Sequence, residues 1–322
     1  MRSKPYIRAV FSACLTLGGV GCAESDQLLE TAAATPLAAT ERSAAGSDTS
    51  MTIAAAQTNG SRATTTASPS ASPSAAQPAG SIVLNCKDYA TATSGPFVIE
   101  NNVWGRDGLT GPYSQCAGIS QLAADGSVSA RWTWSWPSGT SEVKGFPEII
   151  YGQKPGYAPT SPTRLPMQVN GIRTATSKWS TKSTYTGTGQ LTFDLWLTRD
   201  SARHGCFNCT PITHEIMVAV EPYGGYGLNR NPAWFVEETT IDGQRYKVYK
   251  ADNFGTIGWR FIVLQSVATR TSGSIDFVPI FSYLKSKKLI VGDEYLSSVE
   301  FGTEPNVGTG DVLVQSYTVQ VE

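Results

Sequence analysis

The sequence predicts an all-β domain over residues 81–322, a jelly-roll β-sandwich of two curved antiparallel sheets with one α-helix packed outside. Three observations carry that expectation. Apolar and polar residues alternate with period two from residue 81 onward, a single segment follows helical spacing, and hairpin chemistry separates two of the runs. Many strands with one helix bury their apolar faces as two stacked sheets, and a large curved sheet offers a groove on its concave face.

The elements follow in chain order. Val128, Ala130, Trp132, Trp134 and Trp136 fall on one face of a strand. Large aromatics on such a face either pack a core or line a groove. Alternation leaves both open, and Trp134 is kept as a candidate lining residue. Leu191, Phe193, Leu195 and Leu197 form an apolar face, with Thr192, Asp194, Trp196 and Thr198 opposite. In the next strand Ile216, Val218 and Val220 point toward a core, while Thr213, Glu215, Met217 and Ala219 point away. Asp242-Gly243 between two alternating runs predicts a hairpin. Further strands are expected at about 257–266, 295–304 and 311–321. The helix is read from Phe277, Ile280, Phe281 and Leu284 at i, i+3, i+4, i+7. Asp276 serves as its N-cap, Pro279 is tolerated in its first turn, and Lys285, Lys287 and Lys288 suit its C-terminal end.

The rest of the 322 residues does not read as packed structure. Arg2, Lys4 and Arg8 precede an apolar run from Ala9 to Val20 that is too short to span a membrane, so residues 1–22 are expected to be a secretion signal. Small residues follow and end at Cys22, which suits acylation as a lipid anchor. Gly19 stands where such signals usually carry Leu, and ordinary cleavage stays an alternative. Residues 23–80 are rich in Ala, Ser, Thr, Gln and Pro and have little to bury, so they are expected to form a disordered tether. The formal net charge is −1 and no Lys/Arg stripe follows the first few residues, which argues against nucleic acid and anionic lipid as partners.

Four of the six cysteines lie in the exported domain, and an even count in an oxidising compartment favours disulfides, expected as Cys86–Cys116 and Cys206–Cys209. A redox role for Cys-Phe-Asn-Cys lacks a strand–helix context. With only His204 and His214 present, a zinc site is weaker still. His214 is turned by alternation to the face opposite Glu215, and no nucleophile elbow supports a Ser–His–Asp hydrolase.

Two acids stand out, Glu215 in Thr213-His-Glu-Ile-Met-Val218 and Glu304 in Glu300-Phe-Gly-Thr-Glu-Pro-Asn-Val-Gly-Thr-Gly310. Breaking a sugar–sugar bond needs two carboxyl groups that face each other. Around them, in order, stand Cys86-Lys-Asp-Tyr89, Asn101-Asn-Val-Trp-Gly105, Ser114-Gln-Cys116, Trp134-Ser-Trp136, Val143-Lys-Gly-Phe-Pro147, Phe193-Asp-Leu-Trp196, Glu215-Ile-Met217 and Phe301-Gly-Thr-Glu-Pro305. Through these motifs the stretch from about 84 to 322 resembles glycoside hydrolase family 12, the jelly-roll endoglucanases and xyloglucanases. The resemblance implies a retaining endo-β-1,4-glucanase of cellulose-like or mixed-linkage β-glucans that needs no cofactor and no metal, and with the signal read above the protein is expected to be secreted and to act as a monomer. It implies Glu215 as nucleophile, Glu304 as general acid/base and Asp194 as the residue that orients the nucleophile. Retention sets the two carboxyls about 5–5.5 Å apart, with Glu304 held protonated by a raised pKa and Glu215 ionised.

The resemblance also places Asn102, Trp104, Tyr89 and Met217 along the substrate, with Trp104 stacking and Asn102 hydrogen-bonding a sugar on the non-reducing side of the cut. Two departures concern the same groove. Ala219 and Asn306 stand where relatives often carry Trp and Phe, which removes aromatic surface near the reacting sugars and leaves preference open. A xyloglucan-specific hydrolase or transglycosylase, and a sugar-binding sandwich without catalysis, are the alternatives. The Gly-rich stretch from Glu221 to Leu228 is read as a loop at the groove rim, since no helix follows it.

Overall fold

In the computed structural model, residues 81–107, 109, 111–138, 143–156, 161–227 and 231–322 are described. The expected signal at 1–22 with Cys22, the tether at 23–80 and Leu228 lie outside them. One layer contains β1 (Thr91–Ser94), β2 (Phe97–Asn102), β5 (Phe146–Gly152), the first half of β14 (Tyr295–Val321), β8 (Thr188–Thr198), β9 (Ile212–Tyr223), β12 (Trp259–Ser266), β11 (Gln244–Phe254) and β10 (Phe235–Ile241), in that spatial order. The second layer runs β3 (Ser114–Ile119), β4 (Val128–Trp136), the second half of β14, β7 (Ala175–Tyr185) and β13 (Ser272–Asp276). A short β6 (Met167–Gln168) pairs with the start of β14.

The strand pairs are antiparallel except β9 with β12, which run parallel. The two strands expected at 295–304 and 311–321 are one. Up to Val307, β14 pairs with β8, and from Gly308 on it pairs with β4 and β7, so a single chain segment passes from one layer to the other. The passage is marked by a register shift between Pro305 and Val307 and by Gly308 at φ 101°, where a Cβ would meet the Thr186 carbonyl. The hairpin is formed as expected, with Asp242 and Gly243 both at positive φ between β10 and β11.

The helix α1 (Phe277–Ser286) starts at Asp276, whose carboxylate accepts from the Val278 N–H at 2.9 Å. Phe277, Ile280, Phe281 and Leu284 are all buried. Cys86 is bonded to Cys116, and Cys206 to Cys209.

The main core lies between the layers. Leu191, Phe193, Leu195, Ile216, Val218 and Phe301 enter it from one side, and Trp132, Trp134, Trp136 and Tyr317 from the other. Each such side chain contributes roughly 1.5–3 kcal/mol of burial. Trp134 is therefore not a groove residue. It is buried beside Tyr185 and Tyr223, because the tryptophan face of β4 is the face turned to the opposite layer. Tyr223 closes β9 and stacks on Tyr185 at 4.1 Å, so the Gly-rich stretch begins as strand and turns only at Gly224. A second apolar cluster of Trp196, Met217, Ala251, Trp259, Phe261 and Val263 forms on the opposite, concave face of the same strands.

Candidate active site

The register fixes which residues share the concave face. Glu300 on β14 pairs with Asp194 on β8, Asp194 with Met217 on β9, and Met217 with Val263 on β12. Cross-strand partners project to the same side. Glu215, two residues before Met217, and Glu304, four after Glu300, project to that side too, on strands that flank β8. Both are buried to 8 % exposure.

Each acid receives a well-aimed donor. The Trp259 indole N–H donates to Glu215 Oε2 at 2.7 Å, and the Gln190 amide donates to Glu304 Oε2 at 2.6 Å. The same Gln190 nitrogen lies 3.8 Å from Met217 Sδ, so it spans β8 between the two acidic strands. Trp259 is itself held edge-on against Trp196 and Phe207, the latter carried by the Cys206–Cys209 loop.

Burial and the neighbouring charge of Glu304 push Glu215 up to about 8, against the opposing effects of the Trp259 bond and Lys154. The expectation of an ionised Glu215 in the free protein is thereby corrected, since its carboxyl is held above the ordinary carboxylate range. Two dry carboxyls in one field resist joint ionisation, which is why the charge of Glu304 counts against that of Glu215. Asp194 is raised as well, by burial first and by Glu215 next, and its Oδ1 is buried without a hydrogen-bond partner among the described residues.

Beyond Asp194 the acidic row continues. Glu300, Glu148 on β5 and Glu100 on β2 gather around Lys154, whose ammonium is in contact with Glu148 and lies 3.4 Å from Glu100 and 3.7 Å from Glu300. Burial alone would pull Lys154 down, yet the three carboxylates hold it well above its ordinary value, with Glu148 the strongest. Burial lifts Glu148, and Lys154 opposes that. Asn102 donates to Glu148 Oε1 at 3.0 Å, and its own Oδ1 accepts from the Trp104 N–H at 3.2 Å. Trp104 thus sits just past the end of β2 rather than on it, with 40 % of its surface open to solvent. Tyr89 is half-buried against the main core at φ 57°, with the Arg106 guanidinium 5.9 Å from its ring centre. His214 is turned away from Glu215, with its Nδ1 3.0 Å from Thr213 Oγ1.

Sequence reasoning missed Gln190, Trp259 and Lys154. Gln190 shares its parity with Asp194 along β8, and that signal could have found it. Trp259 and Lys154 reach the site through strand pairing and a turn, and nothing local marks them.

Paired acids over an apolar floor, with an open aromatic at one end of the hollow, make up the layout of a glycoside hydrolase. Comparison with known proteins agrees. A model of glycosyl hydrolase family 12 matches residues 95–322. Over 241 residues the chain is 29 % identical to a xyloglucan-specific endo-β-1,4-glucanase A of Aspergillus aculeatus, covering 74 % of this chain and 90 % of that one. It is 30 % identical over 233 residues to endoglucanase S of Pectobacterium parmentieri, covering 70 % and 82 %. A ligand complex of a family 12 xyloglucanase from Bacillus licheniformis superposes with a TM-score of 0.64 at 28 % identity, over 74 % of this chain and all of that one. The chain belongs to glycosyl hydrolase family 12.

Proposed function

We propose that this protein is an exported retaining endo-β-1,4-glucanase that cuts internal bonds of cellulose-like or mixed-linkage β-glucans. The observation that carries this is the placement of Glu215 and Glu304 on one concave face, close enough for the charge of one to raise the other. Glu215 attacks the anomeric carbon and forms a glycosyl ester, while Glu304 gives its proton to the departing oxygen. Glu304 then takes a proton from the water that opens the ester.

The productive state has Glu215 ionised and Glu304 protonated. The Trp259 bond and Lys154 favour charge on Glu215 against burial and the charge of Glu304, so a proton on Glu304 is what allows Glu215 to ionise. Asp194 holds the nucleophile's orientation from the next strand. Trp104, Asn102 and Tyr89 receive the sugars on the non-reducing side, and Met217 lies under the reacting ring.

In this reading residues 1–22 direct export, 23–80 form a tether and 81–322 carry catalysis as a monomer. The two disulfides suit an oxidising, extracellular setting. Lipidation at Cys22 would make the tether a surface anchor.

Product analysis by NMR tests the reading. Initial release of the β-anomer from a glucan oligosaccharide supports it, and initial release of the α-anomer contradicts it. Xyloglucan is the second reading, favoured by the absence of aromatic rings at Ala219 and Asn306 and by the names of the relatives. Rates on carboxymethylcellulose, barley β-glucan and xyloglucan separate the two. Binding without turnover, unaffected by Glu215→Ala, would assign the protein to non-catalytic sugar recognition.

A further inference from the structure

We propose that Phe235 and Tyr249, at the outer edge of the concave face, form a stacking platform for pyranose rings on the leaving-group side of the cut, several rings beyond the acids. This rests on the glucanase reading and deepens it.

Position comes first. Met217 pairs with Val263, Val263 with Tyr249 on β11, and Tyr249 with Phe235 on β10. One row of directly paired residues therefore runs from beneath the acids to the last strand of the layer, all on one face. Between β9 and β10 lie three strand spacings, roughly 14 Å, a reach of a few sugar rings. Trp104 stands at the opposite end of the layer, past β2, so the acids lie between two open aromatics.

Chemistry comes next. The Phe235 ring meets Tyr249 edge-on with centroids 5.7 Å apart, yet 49 % of Phe235 remains exposed. A packing residue would be covered, and the neighbouring Trp234, Phe254 and Phe261 already close the cluster beneath by contacts among themselves. Alongside the aromatic row runs a second one that is polar beyond Ala219, through Gln265 and Lys247 to Glu238. Pyranose rings present C–H faces and hydroxyl rims, and an aromatic row beside a polar row matches both. With no rings at Ala219 and Asn306 nearer the acids, Phe235 is the most exposed aromatic on that side, where Trp234, Tyr249 and Phe254 are partly buried.

The test uses the full chain with Phe235→Leu, which keeps apolar bulk and removes the ring face, and Phe235→Trp, which restores one. The expected result is a rise of about 3–10-fold in KM on polymeric β-glucan, with kcat/KM unchanged on an aryl cellobioside whose leaving group is too short to reach β10. Phe235→Trp returns KM to the parent value or below. Equal effects on both substrates, or none on either, overturn the platform. So does a shift from dimer to monomer on sizing without a kinetic change, which would assign the edge to self-association. If the parent hydrolyses neither substrate, the glucanase reading fails separately. The platform is then decided by cellohexaose binding to Glu215→Gln with and without Phe235→Leu, where equal affinity overturns it.

Discussion

The two ends of the concave face solve the problem of a buried surface in opposite ways. At the β2–β5–β14 end the face is made of charge. Glu100, Glu148 and Glu300 share Lys154, and the acid row runs on through Asp194 to the pair at Glu215 and Glu304. At the β12–β11–β10 end the same face of the same layer carries an apolar cluster, with Trp259, Phe261, Val263 and Tyr249 packed together. Glu215 sits on the boundary, with its Oε2 on the Trp259 indole and its field shaped by Lys154. A carboxylate at such a boundary is dry enough to be a strong nucleophile and keeps two influences that favour its ionised form. The boundary, more than either end, sets the chemistry.

The largest effect is expected from Glu215→Gln. Hydrolysis falls by on the order of 10⁴-fold or more, read as reducing ends released from β-glucan. The same change alters stability in a pH-dependent way. A carboxyl raised to about 8 in the folded protein binds its proton more tightly there than in the unfolded chain, so its contribution is present at low pH and is lost as pH rises from about 4.5 through 8. Glu215→Gln should therefore melt higher than the parent at pH 8–9, and the gap should shrink below pH 4.5. An unchanged gap across that window would show that Glu215 is not held in a dry, acid-crowded site.

Lys154→Met comes second and strikes the charged end. It leaves three carboxylates without their cation and should cost about 3–5 kcal/mol of stability, measured by denaturant unfolding at pH 7. The loss should be partly recovered at pH 5, where Glu148 and Glu100 take up protons more readily because both are raised. A Lys154→Met protein as stable as the parent would mean that water already screens the cluster.

Trp259→Phe acts at the boundary from the apolar side. The ring cluster with Trp196 and Phe207 is kept while the hydrogen bond to Glu215 is removed. Activity should fall about 10-fold, and the low-pH limb of the rate profile should move to higher pH, because the ionised nucleophile has lost a donor. A uniform loss without movement of that limb would reduce Trp259 to packing.

The smallest change is expected from Ala219→Trp, which places an aromatic next to the acids. KM on unbranched glucan should fall a few-fold while turnover of xyloglucan falls, since the added ring occupies room for branches. No change in the ratio of the two substrates would remove the link between Ala219 and groove width.

Much of this frame is legible in the sequence because it is local. Period-two alternation separated Ile216, Val218 and Val220 from Glu215 and Met217, and the structure keeps that division. The helix showed itself through four apolar residues and an aspartate cap, and the hairpin through Asp242-Gly243. What could not be read is what depends on packing between layers. Alternation put Trp132, Trp134 and Trp136 on one face without saying which face met the other layer. The continuity of β14 was hidden because Pro305 and the glycines interrupt the pattern where the strand changes sheets. Lys154 gathers acids from three strands, and Trp259 reaches Glu215 across a parallel pair, so neither leaves a mark at fixed spacing.

The most direct measurement is labelling by a slow 2-deoxy-2-fluoro cellobioside with a good leaving group, followed by peptide mass mapping. The account predicts one fluoroglycosyl group per chain on the peptide that carries Glu215, and none in Glu215→Gln. A label on the Glu304 peptide, or steady turnover of the reagent with no labelled peptide, would contradict it.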